Sequence, residues 1–164
     1  MPRERKPKPD QKRDAYSSGL GLLARREHSA RELKSKLARR GHVDGDIKNA
    51  VDQLSDKRYQ SDERFAVTIA RTRVAQGYGP HRIRAELKSH GLAEVAIRSA
   101  IAATEADWPA IAAAQLRRRF GGKSPADLAE RARRAQFLLR RGFDPATVRT
   151  VTRVVVDDPD EEFD

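Results

Sequence analysis

The amino-acid sequence predicts an all-α protein made of three tandem copies of one helical unit. Three observations support this prediction. Charged residues make up 35% of the chain and aromatic residues only 5%, and no sustained alternation of apolar β-formers indicates strands. Five apolar or glycine positions recur at an offset of 50, with Leu33, Leu37, Gly41, Ile47 and Val51 matched by Ile83, Leu87, Gly91, Ile97 and Ile101. A more divergent third copy keeps Leu138, Gly142 and Val148 in register.

The first copy contains the signals for three helices. One helix is predicted over residues 14–26. Ser29 and Glu32 then have the spacing of a capping box, in which each side chain accepts a hydrogen bond from a free backbone amide at the start of the second helix. Gly41 ends that helix, because glycine adopts the left-handed conformation at low cost. Asp44 is predicted to cap the third helix.

The second copy repeats this order with different residues. Ser61 is predicted to cap a helix that runs to about residue 76, and Pro80 suits the first position of the next one. Gly91 ends the middle helix, and residues 94–106 form the third.

The third copy is predicted to begin with a helix over residues 107–120. Ser124 and Pro125 then indicate an N-cap followed by a proline at the first helical position. The middle helix should end before Gly142, and the last helix should cover residues 144–155. The whole chain is thus divided into a disordered basic arm (1–13), three repeats (14–60, 61–106 and 107–156) and an acidic disordered tail (157–164).

Composition excludes several classes of function. The chain has no cysteine, which excludes disulfides and Cys-based zinc sites, and it has no apolar run long enough to span a membrane. We therefore expect a cytoplasmic protein that does not use a membrane. The HExxH, P-loop and GxGxxG motifs are missing, and the four histidines fall at predicted helix ends or turns. The sequence thus predicts no enzyme, no catalytic or metal-binding residue and no cofactor, and the repeat gives no reason to require a dimer.

The net charge of +10 is concentrated in the third copy. Residues 108–156 carry +8, whereas residues 157–164 carry −6. Such a surface favours polyanions or acidic proteins, although solvated arginines whose aliphatic stems cover the core explain the same pattern. We expect a partner or nucleic acid to contact two sets of basic residues, namely Arg117, Arg118, Arg119, Lys123, Arg131, Arg133, Arg134, Arg140 and Arg141, and a second patch of Arg25, Arg26, Arg39 and Arg40.

Two kinds of DNA reader are disfavoured. The glycine turns resemble those of helix-turn-helix proteins, but the helices that follow them offer few side chains suited to base edges, such as Lys48 and Asn49. Exposed aromatic side chains are too few and too scattered for a single-strand stacking platform.

Three stretches of the chain carry a resemblance to a known family. They are the segment from Leu23 to Leu37, the stretch Asp62–Ala66, and above all Arg71 to Leu87 with its GYGPHRIRAEL run. They are similar to the bacterial RecX regulators of the RecA recombinase, and the resemblance covers roughly residues 15–155. Arg-Arg-Gly-Phe at 140–143 resembles the closing repeat of that family.

The resemblance implies an elongated, curved, solenoid-like chain of three three-helix repeats. It also implies a non-enzymatic modulator that binds in the groove of the RecA nucleoprotein filament and inhibits its ATPase, strand exchange and SOS-repressor cleavage. Family members are also expected to bind single- or double-stranded DNA, so a sequence-tolerant DNA-binding protein is the alternative. Arg71 and Arg73 lie in the family signature, but Asp62 and Glu63 could instead pair with them within the fold.

Overall fold

The computed structural model describes residues 13–153, in which it has nine α-helices and no β-strand. The all-α prediction is therefore confirmed. The chain divides into two compact units, residues 1–62 and 63–164. The helices are α1 (Ala15–Leu23), α2 (Ala30–Arg39), α3 (Asp44–Asp56), α4 (Asp62–Ala75), α5 (Pro80–Ser89), α6 (Glu94–Ala102), α7 (Trp108–Phe120), α8 (Leu128–Arg140) and α9 (Pro145–Thr152).

The 50-residue pattern in the sequence corresponds to equivalent positions in the fold. Leu33 and Leu37 of α2 are fully buried, as are their counterparts Ile83 and Leu87 of α5. The glycine that follows each middle helix, at positions 41, 91 and 142, has a φ between 77° and 92°. The predicted helix, glycine, helix order thus recurs in all three copies.

Each copy has a hydrophobic core of its own. The first core is formed by α1 to α3, around Leu33, Leu37 and Leu54. The second is centred on Phe65 and the third on Phe143. Trp108, the first residue of α7, packs against both the second and the third core. Tandem repeats often bury their apolar faces only against their neighbours, whereas each repeat here has its own core. Trp108 contributes to two of these cores.

Most of the predicted helix starts are confirmed by their caps. The hydroxyl of Ser29 accepts a hydrogen bond from the Glu32 backbone N–H, and Pro80 is the first residue of α5. The carboxylates of Asp107 and Asp144 likewise cap α7 and α9.

Two predicted caps are wrong. Val43 occupies the N-cap of α3, so Asp44 lies inside the first turn, where its charge still favours the helix dipole. Helix α8 begins at Leu128, after Ser124 and Pro125. Asp127 is its cap and accepts a hydrogen bond from the Glu130 backbone N–H, while the Glu130 carboxylate accepts one from the Ala126 backbone N–H. The N-cap of α8 therefore lies three residues beyond the predicted one.

Some helices end earlier than predicted. Helix α1 ends at Leu23 and α6 at Ala102, where Glu105 turns the chain with a φ of 51°. Helix α9 ends at Thr152, since Arg153 adopts the left-handed conformation. The predicted basic arm, except for Arg13, and the acidic tail lie outside the described residues.

Candidate functional site

The basic residues predicted to bind a partner fall into different environments in the third repeat. Six of them are exposed and form no ion pair with any residue in the described range 13–153: Arg117, Arg118, Arg119, Lys123, Arg131 and Arg133. Arg140 is exposed in the same way, whereas Arg134 and Arg141 are held by other parts of the chain. Apart from Arg118, these exposed residues line two depressions on α7 and α8.

The first depression, which we call the cationic cleft, has a volume of about 390 Å³. It lies between α7, the α7–α8 connection and the end of α9. Arg117, Lys123, Arg131 and Arg153 line it, together with Arg134, and no carboxylate is among its lining residues. Arg153 is not among the predicted contact residues, because it belongs to no cluster of basic residues in the sequence.

The second depression, the aromatic groove, has a volume of about 380 Å³. Arg119, Arg133 and Arg140 surround the rings of Phe120 and Phe137 there. The two rings meet edge to face, with their centres 5.6 Å apart and their planes at 88°. Residues 133, 137 and 140 share one face of α8 because they are separated by four and three positions. The groove therefore offers cations beside partly buried aromatic rings.

Arg134 forms the floor of the cationic cleft. Its side chain is only 9% exposed, and Nη2 donates hydrogen bonds to the Lys123 carbonyl oxygen at 3.0 Å and to the Glu130 carboxylate at 2.7 Å. The Ala126 backbone N–H and the Arg134 guanidinium together lower the pKa of Glu130. The Nε of Arg134 is buried and has no hydrogen-bond partner among the described residues. Arg134 thus orders the connection between the helices and leaves one buried donor unused.

Arg141 joins the second repeat to the third. Its Nε donates to the Gly77 carbonyl oxygen at 3.1 Å and its Nη2 to the Gln76 carbonyl oxygen at 2.7 Å. Its guanidinium carbon lies 4.4 Å from the centre of the Tyr78 ring, and that of Arg82 lies 4.5 Å from the same centre. This side chain therefore stabilises the contact between two repeats within the second compact unit.

Two backbone hydrogen bonds also link the loops of the two repeats. Together with the contacts of Arg141 they form what we call the joint. The Gly79 N–H donates to the Arg141 carbonyl oxygen at 2.8 Å, and the His81 N–H donates to the Gly142 carbonyl oxygen at 2.9 Å. The GYGP run is therefore explained by the joint: Tyr78 binds the arginine, and Gly79 permits the close backbone approach.

The predicted patch in the first repeat is more dispersed. Arg25 follows α1, whereas Arg39 and Arg40 lie at the end of α2, and all three are exposed. Arg26 is hydrogen-bonded to the Glu32 carboxylate and to the Glu27 carbonyl oxygen. Three of these four guanidinium groups thus remain available within the described part of the chain.

The partner suggested for Arg73 is wrong. The Glu86 carboxylate accepts two hydrogen bonds from Arg73, at 2.6 Å from Nε and 2.7 Å from Nη2, and this contact lowers the pKa of Glu86. Asp62 instead accepts hydrogen bonds from the Ala30 backbone N–H and the Gln60 amide, both within the first compact unit. The misassignment arose because the true partner lies 13 residues away, on the next helix.

His28 lies in the connection between α1 and α2, as the sequence predicts, and it is almost fully buried there. Its Nδ1–H donates to the Arg26 carbonyl oxygen at 2.9 Å, and the Lys36 ammonium donates to its Nε2 at 3.3 Å. Burial lowers the pKa of His28, and the neutral ring fits both contacts. Within residues 13–153, no group of three His, Asp or Glu residues could hold a metal ion, and no helix is long and apolar enough to cross a membrane.

The three repeats match three models of one protein family. These models describe the first, second and third three-helix domains of RecX, and they match residues 15–54, 61–101 and 105–152. The chain is 48% identical over 139 residues to the regulatory protein RecX of Xanthomonas axonopodis pv. citri (strain 306), covering 85% of this chain and 86% of that one. It is 44% identical over 161 residues to the regulatory protein RecX of Stenotrophomonas maltophilia (strain R551-3), covering 98% and 96%.

Solved structures agree on the fold. The crystal structure of RecX from Lactobacillus salivarius superimposes with a TM-score of 0.71 at 20% identity, covering 85% of this chain and 92% of that chain. A second crystal structure of a regulatory protein RecX gives a TM-score of 0.72 at 21% identity, covering 85% and 70%. With the three family models and the similar relatives, this shows that the chain belongs to the RecX family of regulatory proteins.

Proposed function

We propose that this protein is a non-enzymatic regulator of a RecA recombinase. It binds the RecA nucleoprotein filament in the bacterial cytoplasm and inhibits ATP hydrolysis, strand exchange and cleavage of the SOS repressor. Membership of the RecX family supports the regulatory role. The observation that carries the choice of surface is the set of exposed arginines on α7 and α8 that no carboxylate within residues 13–153 neutralises.

The chemistry of these side chains fits a filament made of protein and DNA. Each guanidinium presents a planar fork of donors that matches a carboxylate or a phosphate oxygen pair, and it stays charged at every physiological pH. The two acids of the third repeat nearest to these arginines are already used, because Asp127 caps α8 and Glu130 holds Arg134. The exposed cations are therefore available to a partner without first breaking an internal ion pair.

Inhibition follows if the bound protein favours one state of the filament over another. A ligand shifts a conformational equilibrium only by its differential affinity for the two states. A protein that contacts two neighbouring subunits at once binds the two filament states with different affinity whenever the spacing of the subunits changes during ATP hydrolysis. Binding across subunits thus slows turnover without any catalytic group on the regulator.

The test is a titration of the DNA-dependent ATPase of the cognate recombinase. Replacing Arg117, Arg118 and Arg119 by Gln removes three charges while keeping good helix formers, so folding is little affected. We expect the concentration for half-inhibition to rise by about tenfold or more, since three exposed contacts of roughly 0.5 kcal/mol each are lost.

The matched control replaces Lys34, Lys88 and Arg98 by Gln. These residues are also exposed and helical, and their loss changes the net charge by the same amount. The control should inhibit like the unmodified chain. Inhibition absent at every ratio of unmodified protein to recombinase contradicts the regulatory proposal, and equal losses in both variants contradict the choice of surface.

The same exposed cations favour a second candidate, sequence-tolerant DNA binding. Phosphates bind arginine forks as carboxylates do, and the cationic cleft has no acidic lining residue to repel them. This candidate predicts binding of DNA without recombinase and a log-log salt dependence with a slope of several units. A slope near zero in a fluorescence anisotropy titration would exclude it.

A further inference from the structure

The cationic cleft has a possible occupant in the same chain. Val151, Thr152 and Arg153 form part of its wall, and the described part of the chain ends at Arg153. The residues that follow therefore start at the cleft itself. Asp157 is four residues beyond Arg153, and an extended chain of that length spans up to about 14 Å. The first acidic residue thus lies within reach of the cleft by chain length alone.

Charge complementarity favours this segment as the occupant. Residues 157–164 contain six acids and no cation. The cleft is lined by five basic residues, and within the described chain only Arg134 has a carboxylate partner. A short tether also keeps the segment at an effective concentration in the millimolar range, so weak individual ion pairs suffice for occupancy.

A second observation is an unpartnered buried donor on a residue that lines the cleft. Arg134 is more than nine-tenths buried, and its Nε has no hydrogen-bond partner within the described chain. A buried donor left unpaired is destabilising, so an oxygen acceptor that reaches it stabilises the site. Carboxylate oxygens are acceptors only, which is the chemistry that this floor lacks.

We propose that the acidic segment 157–164 binds intramolecularly in the cationic cleft and competes there with the external partner. Bound carboxylates cover Arg117, Lys123 and Arg131, so the segment acts as an autoinhibitory ligand. The competition rests on the proposed function, because it needs a partner that uses the same arginines. The contact between segment and cleft does not, and it is tested separately.

The contact is tested by paramagnetic broadening in the full chain. The protein has no cysteine, so Phe163→Cys allows a single nitroxide label. At low salt we expect amide signals of Gly121, Gly122 and Lys123 to lose at least about fivefold in intensity, and to recover most of it at high salt, where ion pairs are screened. No broadening, or broadening that high salt leaves unchanged, overturns the contact.

Two controls make this result specific. Broadening should vanish with Lys123→Glu and Arg131→Glu, and persist with Arg119→Glu and Arg133→Glu, which change the net charge equally but line the aromatic groove. A mixture of labelled and isotope-enriched unlabelled chains should show no broadening. Broadening in that mixture shows binding between molecules and overturns the intramolecular proposal.

Competition is tested by the ATPase titration. Neutralising Asp160, Glu161 and Glu162 as Asn, Gln and Gln should lower the half-inhibitory concentration by about threefold to tenfold, because the open cleft becomes more populated. A matched variant neutralises the exposed Asp46, Asp56 and Glu105 and should leave it unchanged. Equal values for the segment variant and the unmodified chain overturn the competition. If the unmodified chain inhibits nothing, the proposed function fails while the broadening result stands.

Discussion

The tripeptide Arg-Arg-Gly occurs at residues 39–41 and again at residues 140–142, with opposite environments. Both glycines follow a middle helix and both have a positive φ, 86° and 92°. A methyl group added at Gly41 would meet no atom within 4 Å, whereas one added at Gly142 would lie 2.5 Å from the Arg82 backbone nitrogen. Arg40 is exposed, but Arg141 binds two carbonyl oxygens and the Tyr78 ring. The same three residues are thus exposed to solvent in the first repeat, whereas in the third Arg141 and Gly142 contact the second repeat.

This difference shows that an arginine cluster cannot be assigned to binding from its composition. The position of a repeat in the array decides which of its loops meets another repeat. Arg141, in a loop that meets another repeat, is hydrogen-bonded within the fold, whereas Arg40 in the equivalent loop of the first repeat stays exposed. Two comparisons between equivalent positions test this conclusion, and a third tests the burial of His28.

The largest effect is expected for the two glycines. Gly142→Ala should lower the free energy of unfolding by about 3–5 kcal/mol, because it combines a left-handed conformation with a clash against backbone that cannot move aside. Gly41→Ala suffers only the conformational cost, about 1–2 kcal/mol. Urea unfolding monitored by circular dichroism measures both values. Equal losses would show that the close contact at Gly142 contributes nothing.

The second comparison concerns the arginines. Arg141→Ala should cost about 2–3 kcal/mol, since two charged hydrogen bonds and a cation–π contact are lost, whereas Arg40→Ala should change stability by about 0.5 kcal/mol or less. Arg141→Lys keeps the charge but lacks the planar fork, and we expect it to recover only a minor part of the loss. The same unfolding assay applies. Full recovery by lysine would mean that charge alone holds the joint.

The smallest expected effect is the pH dependence of stability, which His28 should give to the first repeat. The equivalent position of the second repeat, 50 residues later, is Tyr78. Burial lowers the pKa of His28, and the charged groups around it are Arg26, Glu32 and Lys36. The unfolded chain therefore binds more protons than the folded one below pH 6.5, so this contribution to stability is complete above that value and is lost as pH falls.

We accordingly expect the first repeat to lose amide-exchange protection between pH 7.5 and 5.5 relative to the second, after correction for the intrinsic exchange rate. A histidine ring titration by NMR should place His28 below the ordinary value of 6.5. Unchanged relative protection, with a His28 titration at or above 6.5, would contradict the buried neutral ring.

Much of the fold could be predicted because its signals are local. A capping box, a proline at a first helical position and a glycine after a helix each act within a few residues, so Ser29, Pro80 and Gly91 were assigned correctly. The predicted start of α8 is wrong because two cap signals lie three residues apart, and the carboxylates of Asp127 and Glu130 both accept backbone hydrogen bonds at the later position. Short-range sequence rules do not show which of two neighbouring cap signals begins the helix.

The candidate site could be predicted only in part. Charge counting found the basic third repeat, but the fates of Arg134 and Arg141 depend on contacts with Lys123 and with the loop at residues 76–78. Contacts across 64 or 65 residues leave no mark on spacing or composition. Arg153 could not be predicted for the same reason, since only the fold places it in the cleft wall.

The backbone pairing of Gly79 with Arg141, and of His81 with Gly142, has a consequence for local opening. An amide at the start of α5 cannot exchange its proton until the loop after α8 has moved away. Slow exchange at Gly79 and His81 therefore reports on the integrity of α8, and the two repeats open as one cooperative unit. A ligand that tightens the third repeat would be detected at amides of the second, at a distance from any arginine that it touches.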